Sequence, residues 1–295
     1  MEGQSTLQLI LPLALMVVML GVGMSLRVSN FALVLKQPLV VIVGLLLQLV
    51  LLPVLGLIVV FLFKLPAVLA VGIMILTFAP GGATSNMITF LSRGDTALSV
   101  CLTAIGGVIT PFTLPLLTVL AIEYGFGESS TIVFPVLPTM IKLLAVGVFP
   151  VLVGVLIHHY LPQFCLRIEK ATKFLAGTFL LAVVTALTYE NWEVLPNLFV
   201  SVGPAIFSLV ILAMGCGFFM AKAMRLSTSY RITLAVEVGI QNAGLAMLVT
   251  ATILHNAEMS VTTLVYGILM NIPAFLLILF RNFSGLTVYK TGNLS

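Results

Sequence analysis

Charge is scarce in this 295-residue chain. Asp, Glu, Lys and Arg together supply 7% of it, against 61% for hydrophobic residues. A soluble domain carries about 25% charged residues, and no soluble fold could hide this much apolar surface. The expected class is therefore an all-α polytopic membrane protein. Segments of alternating polarity, which a membrane β-barrel needs, are missing. The chain has a single aspartate, Asp95, which excludes an intramembrane aspartyl protease built on two. Cys101, Cys165 and Cys216 are scattered without a CxxC pair, so a disulfide or zinc framework is not expected. His158, His159 and His255 form no metal-ligand pattern, and none sits mid-span where it could activate a serine. No Walker A sequence provides for ATP. These absences argue against an enzyme and leave transport or reception.

What is present is a series of long apolar runs, at 7–26, 38–62, 66–91, 96–122, 131–160, 172–189, 198–220, 231–254 and 260–281. Each is of the order a bilayer-spanning helix requires, about 20 residues. MEGQST lacks the basic start of a signal peptide, so the first run is expected to be a true span. With the N-terminus outside, the inner loops collect Arg27, Lys36, Arg93, Arg167, Lys170, Lys173, Lys222, Arg225, Arg231, Arg281 and Lys290. The outer loops keep Glu2, Glu123, Glu128, Glu190, Glu193 and Glu258, with Lys64 as their basic residue. Basic inner loops are what insertion favours. Nine spans in the cell (plasma or inner) membrane, N-terminus outside and C-terminus cytoplasmic, follow as the expectation. The net charge of +4 is thus a topology signal and not a mark of nucleic-acid binding. Lys142 falls within the fifth run, close enough to its start to snorkel.

Two of the runs should not form continuous helices. The third contains TFAPGGATSNMITF (77–90), with Pro80, Gly81 and Gly82 as poor helix formers. The eighth contains EVGIQNAG (237–244), with two glycines and a polar pair. Thr77 precedes Asn86 by nine residues and Thr233 precedes Asn242 by nine, a weak shared register. Spans one to four and six to nine are two sets of four, inverted by the fifth. A broken third span in each half suits an inverted repeat with a central site.

Glu237 lies in the second of these breaks. A carboxylate at mid-bilayer costs at least about 2–3 kcal/mol, so it must be protonated, paired or bound to a cation. Lys142 is the other deep charged residue and offers no obvious pairing. Oxygens are plentiful: Gln48, Thr84, Ser85, Asn86, Ser99, Thr103, Gln241 and Asn242. Such oxygens around one carboxylate suit a small hard cation. Broken helices add free carbonyls for the cation, and helix N-termini whose N–H groups and dipoles suit an anion. Proton coupling through Glu237, and a receptor that transports nothing, are the alternatives. Amide and hydroxyl oxygens add little to a proton relay, which favours sodium.

The stretches PGGATSN (80–86), RGDTALSVCLT (93–103) and EVGIQNAG (237–244) resemble the bile acid:sodium symporter family, and the likeness runs from about residue 11 to residue 280. The resemblance implies one transmembrane transporter domain over 1–295, with a core bundle of spans within 38–122 and 198–281. A panel of spans 7–26, 131–160 and 172–189 would move against that core. It also implies two sodium sites and sodium-coupled symport of an organic anion by alternating access. The first sodium site would use Ser85, Asn86, Ser99, Thr103 and Glu237. The second would use Gln48, Glu237 and Gln241 with the carbonyls of Val238 and Ile240. Ala83, Thr84, Asn242 and Asn271 would contact the anion, and the protein would act as a monomer in the bilayer. Family substrates include bile acids, pantoate, pyruvate and other organic anions. Two departures bear on that substrate: many relatives read GGTASN where this chain has GGATSN, and Met270 precedes Asn271 where an aromatic or histidine is frequent.

Overall fold

The computed structural model describes residues 2–26, 35–126, 134–165 and 195–291, with isolated positions between 167 and 193. The predicted sixth span, 172–189, and the loop around Arg27 therefore lie outside the continuously described residues. Among the described residues the secondary structure is helical, with no strand. In chain order the helices are α1 (Glu2–Ser25), α2 (Pro38–Leu62), α3 (Ala67–Thr77), α4 (Ala83–Leu91), α5 (Thr96–Phe126) and α6 (Val136–Tyr160). There follow α7 (Leu195–Ala223), α8 (Thr228–Gly239), α9 (Ala243–Thr252), α10 (Ala257–Leu269) and α11 (Asn271–Thr291). Among the described residues, six helical stretches are long and apolar enough to cross a membrane, with Ile10–Ser25 and Ala67–Thr77 as shorter apolar helices. The protein is a multi-pass helical membrane protein.

Burial is uneven among the spans, and that unevenness locates the centre. Over an 18-residue window within each stretch, 94% of the residues are buried inside the protein for Thr228–Thr252 and 22% for Val136–Tyr160. The α8–α9 pair is thus surrounded by other helices, while α6 shows most of its surface outward. Outward-facing side chains include Phe61, Phe90, Phe219 and Phe280, as expected where lipid is the solvent. Tyr124, Tyr160 and Trp192 are exposed near the ends of spans, the placement of an aromatic belt.

Both expected interruptions are present. Residues 78–82 separate α3 from α4 and residues 240–242 separate α8 from α9. Pro80 lacks an N–H, and two glycines follow it, so the first break is local sequence chemistry. At the second, Ile240 is extended and Asn242 caps α9 by accepting from Leu245 N at 3.0 Å. Asn242 N donates to Ala79 O at 3.0 Å, joining one unwound segment to the other. The Thr–Asn spacing does not mark equivalent places, because Asn86 lies inside α4 whereas Asn242 is a cap.

Two π-helical segments were not expected from the sequence. Leu47–Leu51 interrupts α2 and Leu144–Val148 interrupts α6. Each ends two residues before a proline, Pro53 or Pro150, which cannot donate to the carbonyl four residues back. The widened turn accommodates that missing bond, and π segments are frequent at functional sites. Proline acts likewise near the end of the chain. Pro273 cannot donate to Leu269 O, and a turn at Met270 divides α10 from α11.

Close backbone approach fixes two helix pairs. A Cβ on Gly217 of α7 would lie 2.4 Å from Leu234 O of α8, and one on Gly154 of α6 would lie 2.5 Å from Leu20 O of α1. Small residues at such contacts let helices associate where no hydrophobic force drives them together. Gly217→Ala should therefore lower stability by about 1–3 kcal/mol, the usual range for overpacking. Gly215→Ala, with nothing within 4 Å of the added carbon, should be tolerated. Equal melting temperatures for the two variants in detergent would contradict this packing.

Candidate functional site

Glu237 sits in the last turn of α8 and is 0% exposed. Its Oε1 accepts from Ser99 Oγ at 2.6 Å. Its Oε2 accepts from Gln48 Nε2 at 3.0 Å and from Thr103 Oγ1 at 3.3 Å. These described partners are all neutral. Lys142 lies elsewhere, donating to Thr252 Oγ1 at 2.9 Å at the far end of α9. It is half-buried and held by that threonine.

The local folding explains why the donors converge. Gln48 stands in the first π segment, whose extra residue per turn alters which way the side chain leaves α2. From there Gln48 Nε2 also donates to Glu237 O at 2.9 Å. Ser99 and Thr103 are one turn apart on α5 and so share a face. Gln241, one turn beyond Glu237, donates from Nε2 to Val238 O at 2.8 Å and to Glu237 O at 3.3 Å. Carbonyls at the open end of α8 are thus held by side chains reaching back or across.

Hydroxyls and amides crowd the carboxylate. Ser99 Oγ lies 2.6 Å from Glu237 Oε1 and 2.7 Å from Asn86 Oδ1. Thr103 Oγ1 lies 3.3 Å from Glu237 Oε2 and 3.2 Å from Asn86 Oδ1. Each hydroxyl carries one proton that it can give to Glu237, and the Asn86 amide, flipped to turn its Nδ2 toward them, supplies the other two contacts. Gln48 Oε1 and Gln241 Oε1 are also buried and accept from nothing. Buried unsatisfied acceptors are costly, and a cation is the ligand that would satisfy several together.

Gly81 keeps space open among these oxygens. A Cβ there would lie 2.6 Å from Ser85 Oγ, 3.1 Å from Glu237 Oε2 and 3.2 Å from Ile240 O. The residues expected to hold cations, Ser85, Asn86, Ser99, Thr103, Glu237, Gln48, Gln241, Val238 and Ile240, therefore gather around one carboxylate and the break beside it. Ser85 Oγ itself donates to Gly82 O at 2.9 Å. The donor set fits a hard cation.

The residues expected to meet an anion are more dispersed. A cavity of about 60 Å³ lies beside the breaks, bounded by Gly81, Gly82, Thr103 and Asn242 on one side and by α1 and α6 on the other. The second π segment supplies Gly147 and Val148 to its wall. Asn242 thus borders the cavity. Ala83 and Thr84 are half-buried at the start of α4 and do not line it. Asn271 is exposed, with Nδ2 donating to Gly267 O near the end of α10 at 2.6 Å.

Two contributors were not anticipated. Gly81 looks in sequence like a simple helix breaker, and its role as a spacer depends on Ile240, far along the chain. Tyr266 is buried on α10 and donates to Gly239 O at 2.9 Å, holding the last carbonyl of α8. Its one visible signal is a phenol inside an otherwise apolar stretch.

The model of the Sodium Bile acid symporter family matches residues 12–198. An uncharacterized sodium-dependent transporter, YocS, of Bacillus subtilis is 32% identical over 240 residues, covering 80% of this chain and 72% of its own length. The ileal sodium/bile acid cotransporter of Cricetulus griseus is 30% identical over 242 residues, 80% of this chain and 67% of that protein. A probable chloroplastic sodium/metabolite cotransporter, BASS2, of Oryza sativa subsp. japonica is 29% identical over 271 residues; the match covers 91% of this chain but 62% of the rice protein.

Tyr266→Phe should cost about 1–3 kcal/mol, because it leaves Gly239 O buried without its donor. The melting temperature of the purified variant measures this, and a value equal to wild type would show that the phenol does not hold the end of α8.

Proposed function

The chain belongs to the Sodium Bile acid symporter family of membrane transporters, and on that premise we propose that it is a sodium-coupled symporter of an organic anion. The observation that carries this reading is a buried carboxylate with neutral partners beside two buried amide oxygens, Gln48 Oε1 and Gln241 Oε1, that accept from nothing. A proton would neutralise the carboxylate but leave those oxygens unmet, whereas a sodium ion accepts several lone pairs at once. Two cation positions are assigned, one to Ser85, Asn86, Ser99, Thr103 and Glu237. The other is assigned to Gln48, Glu237, Gln241 and the carbonyls of Val238 and Ile240. Their shared carboxylate is where binding at one couples to binding at the other.

The full inverted repeat of nine spans belongs to the same reading, and the turns support it. Lys64 and Arg93 flank the first broken span with φ of 50° and 58°, and Arg225 and His255 flank the second with φ of 56° and 50°. Three of these turns share one bonding pattern: Leu65 N to Val60 O, Gly94 N to Thr89 O and Leu226 N to Ala221 O. Each closes a helix C-terminus with a basic residue in the left-handed region, which suits the helix dipole.

In mechanism, sodium holds the two breaks in one competent arrangement. The anion then meets a preformed site near Asn242 and the N-termini of α4 and α9. Ala83, Thr84 and Asn271 join that site as the panel, which includes α1 and α6, moves against the core. A cavity of about 60 Å³ is far below the roughly 300–1,000 Å³ of ordinary ligand pockets, so loading requires that motion. Reciprocal affinity between sodium and anion is the coupling. The relatives named for bile acid and for metabolite transport make bile acids and small carboxylates such as pantoate the first anions to try.

Proteoliposomes under an inward sodium gradient, compared with choline, test the proposal on a set of labelled organic anions. Glu237→Gln should remove sodium-stimulated uptake while the protein remains folded; unimpaired sodium dependence would overturn the assignment. Gln48→Ala should raise the sodium concentration for half-maximal uptake by about threefold or more, the loss of one modest interaction. An unchanged sodium curve would remove Gln48 from the site.

A further inference from the structure

Three helices carry polar side chains about one turn apart, and all three stripes lead away from Glu237 toward the same end of the molecule. On α8 they are Ser229, Thr233 and Glu237, continued by Gln241 just beyond it; on α5 they are Asp95 at the cap, Ser99 and Thr103; on α4 they are Ser85, Thr89 and Ser92 at its terminus. Residues three or four apart share a helix face, and α4, α5 and α8 pack against one another pairwise. The stripes meet as well as run parallel. Thr233 Oγ1 accepts from Asp95 N at 2.7 Å, just as Ser99 Oγ reaches Glu237 one turn further in.

The hydroxyls of Thr89 and Ser92 are anomalous. Both residues are 0% exposed, and neither Oγ1 of Thr89 nor Oγ of Ser92 has a hydrogen-bond partner. Elsewhere in this protein buried threonines return their proton to their own helix, as Thr110 does to Gly106 O, Thr118 to Leu114 O and Thr252 to Leu248 O. A hydroxyl left unpaired in an apolar interior carries the desolvation cost with no return. The backbone passes close by: a Cβ on Gly94 would lie 2.7 Å from Thr89 Cγ2 and 2.9 Å from Thr233 Oγ1, so the absence of a side chain there lets the α4 and α8 stripes meet.

We propose that Thr89, Ser92, Asp95 and Thr233 form a resting position for a small monovalent cation, on a route joining Glu237 to the aqueous end marked by Asp95 and Ser229. The inference rests on the reading that Glu237 binds a cation. One helical turn separates the two levels, a step of about 6 Å along the axis. Asp95 is half-buried and its Oδ1 caps α5 by accepting from Leu98 N at 2.8 Å, the hydroxyls supply neutral oxygens along the way, and the charge-based topology makes this the cytoplasmic end. Sodium released from Glu237 would leave without crossing the anion cavity, which lies on the other side of the breaks.

Sodium alone is a sufficient probe. A sodium jump applied to proteoliposomes of the full-length protein on a solid support should give a charge-displacement transient. Thr89→Val with Ser92→Ala should keep the displaced charge and the sodium-induced thermal stabilisation. Its relaxation should slow by about fivefold or more, the rate equivalent of losing one hydrogen-bond-sized interaction on the path. Asp95→Asn, which preserves the cap on Leu98 N, should slow it too. The double variant should melt no lower than wild type, because it removes unpaired hydroxyls. Wild-type relaxation in both variants, or a fall in melting temperature of the double variant, overturns the route. A transient that survives in Glu237→Gln instead overturns the parent reading.

Discussion

A carboxylate enclosed by protein inside a membrane, with neutral partners alone, is the constraint around which the rest is arranged. Glu237 accepts from Ser99, Gln48 and Thr103, and none of these can cancel a charge. Left there, the ion would be among the most costly groups in the fold. Beside it, Gln48 Oε1 and Gln241 Oε1 are buried acceptors without a donor. Both difficulties have one remedy, a bound cation, and this links stability of the centre to occupancy of the site. On the proposed reading, sodium is part of the competent fold as well as cargo.

The surrounding structure serves that centre by local irregularity. Prolines supply much of it: Pro80 opens the first break, while Pro53 and Pro150 each follow a π segment. One π segment carries Gln48 to the carboxylate, and the other lines the cavity on the opposite side. Glycines supply the clearance, with Gly81 among the oxygens and Gly217 at the α7–α8 contact. Irregular backbone is tolerable at this depth because side chains satisfy it: Gln48, Gln241 and Tyr266 take the carbonyls at the end of α8.

Much of this was legible in the sequence, for identifiable reasons. Apolar run length located α2 at 38–62, the bounds observed, and composition located both breaks. The polar residues around Glu237 stood out because any polar residue does so in such a chain. What the sequence could not reveal was direction. Thr84 and Ser85 are adjacent, yet Ser85 is fully buried beside the carboxylate while Thr84 is half-buried on another face. Asn271 was placed with the anion by the resemblance, and here its amide bonds Gly267 O near the end of α10, a local competition that spacing does not disclose. The π segments were hidden because proline inside an apolar run is equally compatible with a plain kink. The sixth expected span lies outside the continuously described residues.

Coupling follows if the cation and the two breaks form one unit. The breaks are joined by Asn242 N to Ala79 O, and the same segments border both the oxygen cluster and the cavity. The charge state of Glu237 is the quantity on which this account stands. Infrared difference spectra of purified protein in sodium against choline read it directly, with Glu237→Gln identifying the bands. The account predicts that saturating sodium gives an ionised, cation-bound carboxylate signal that the variant lacks. A protonated carboxyl band from Glu237 persisting in saturating sodium would contradict it.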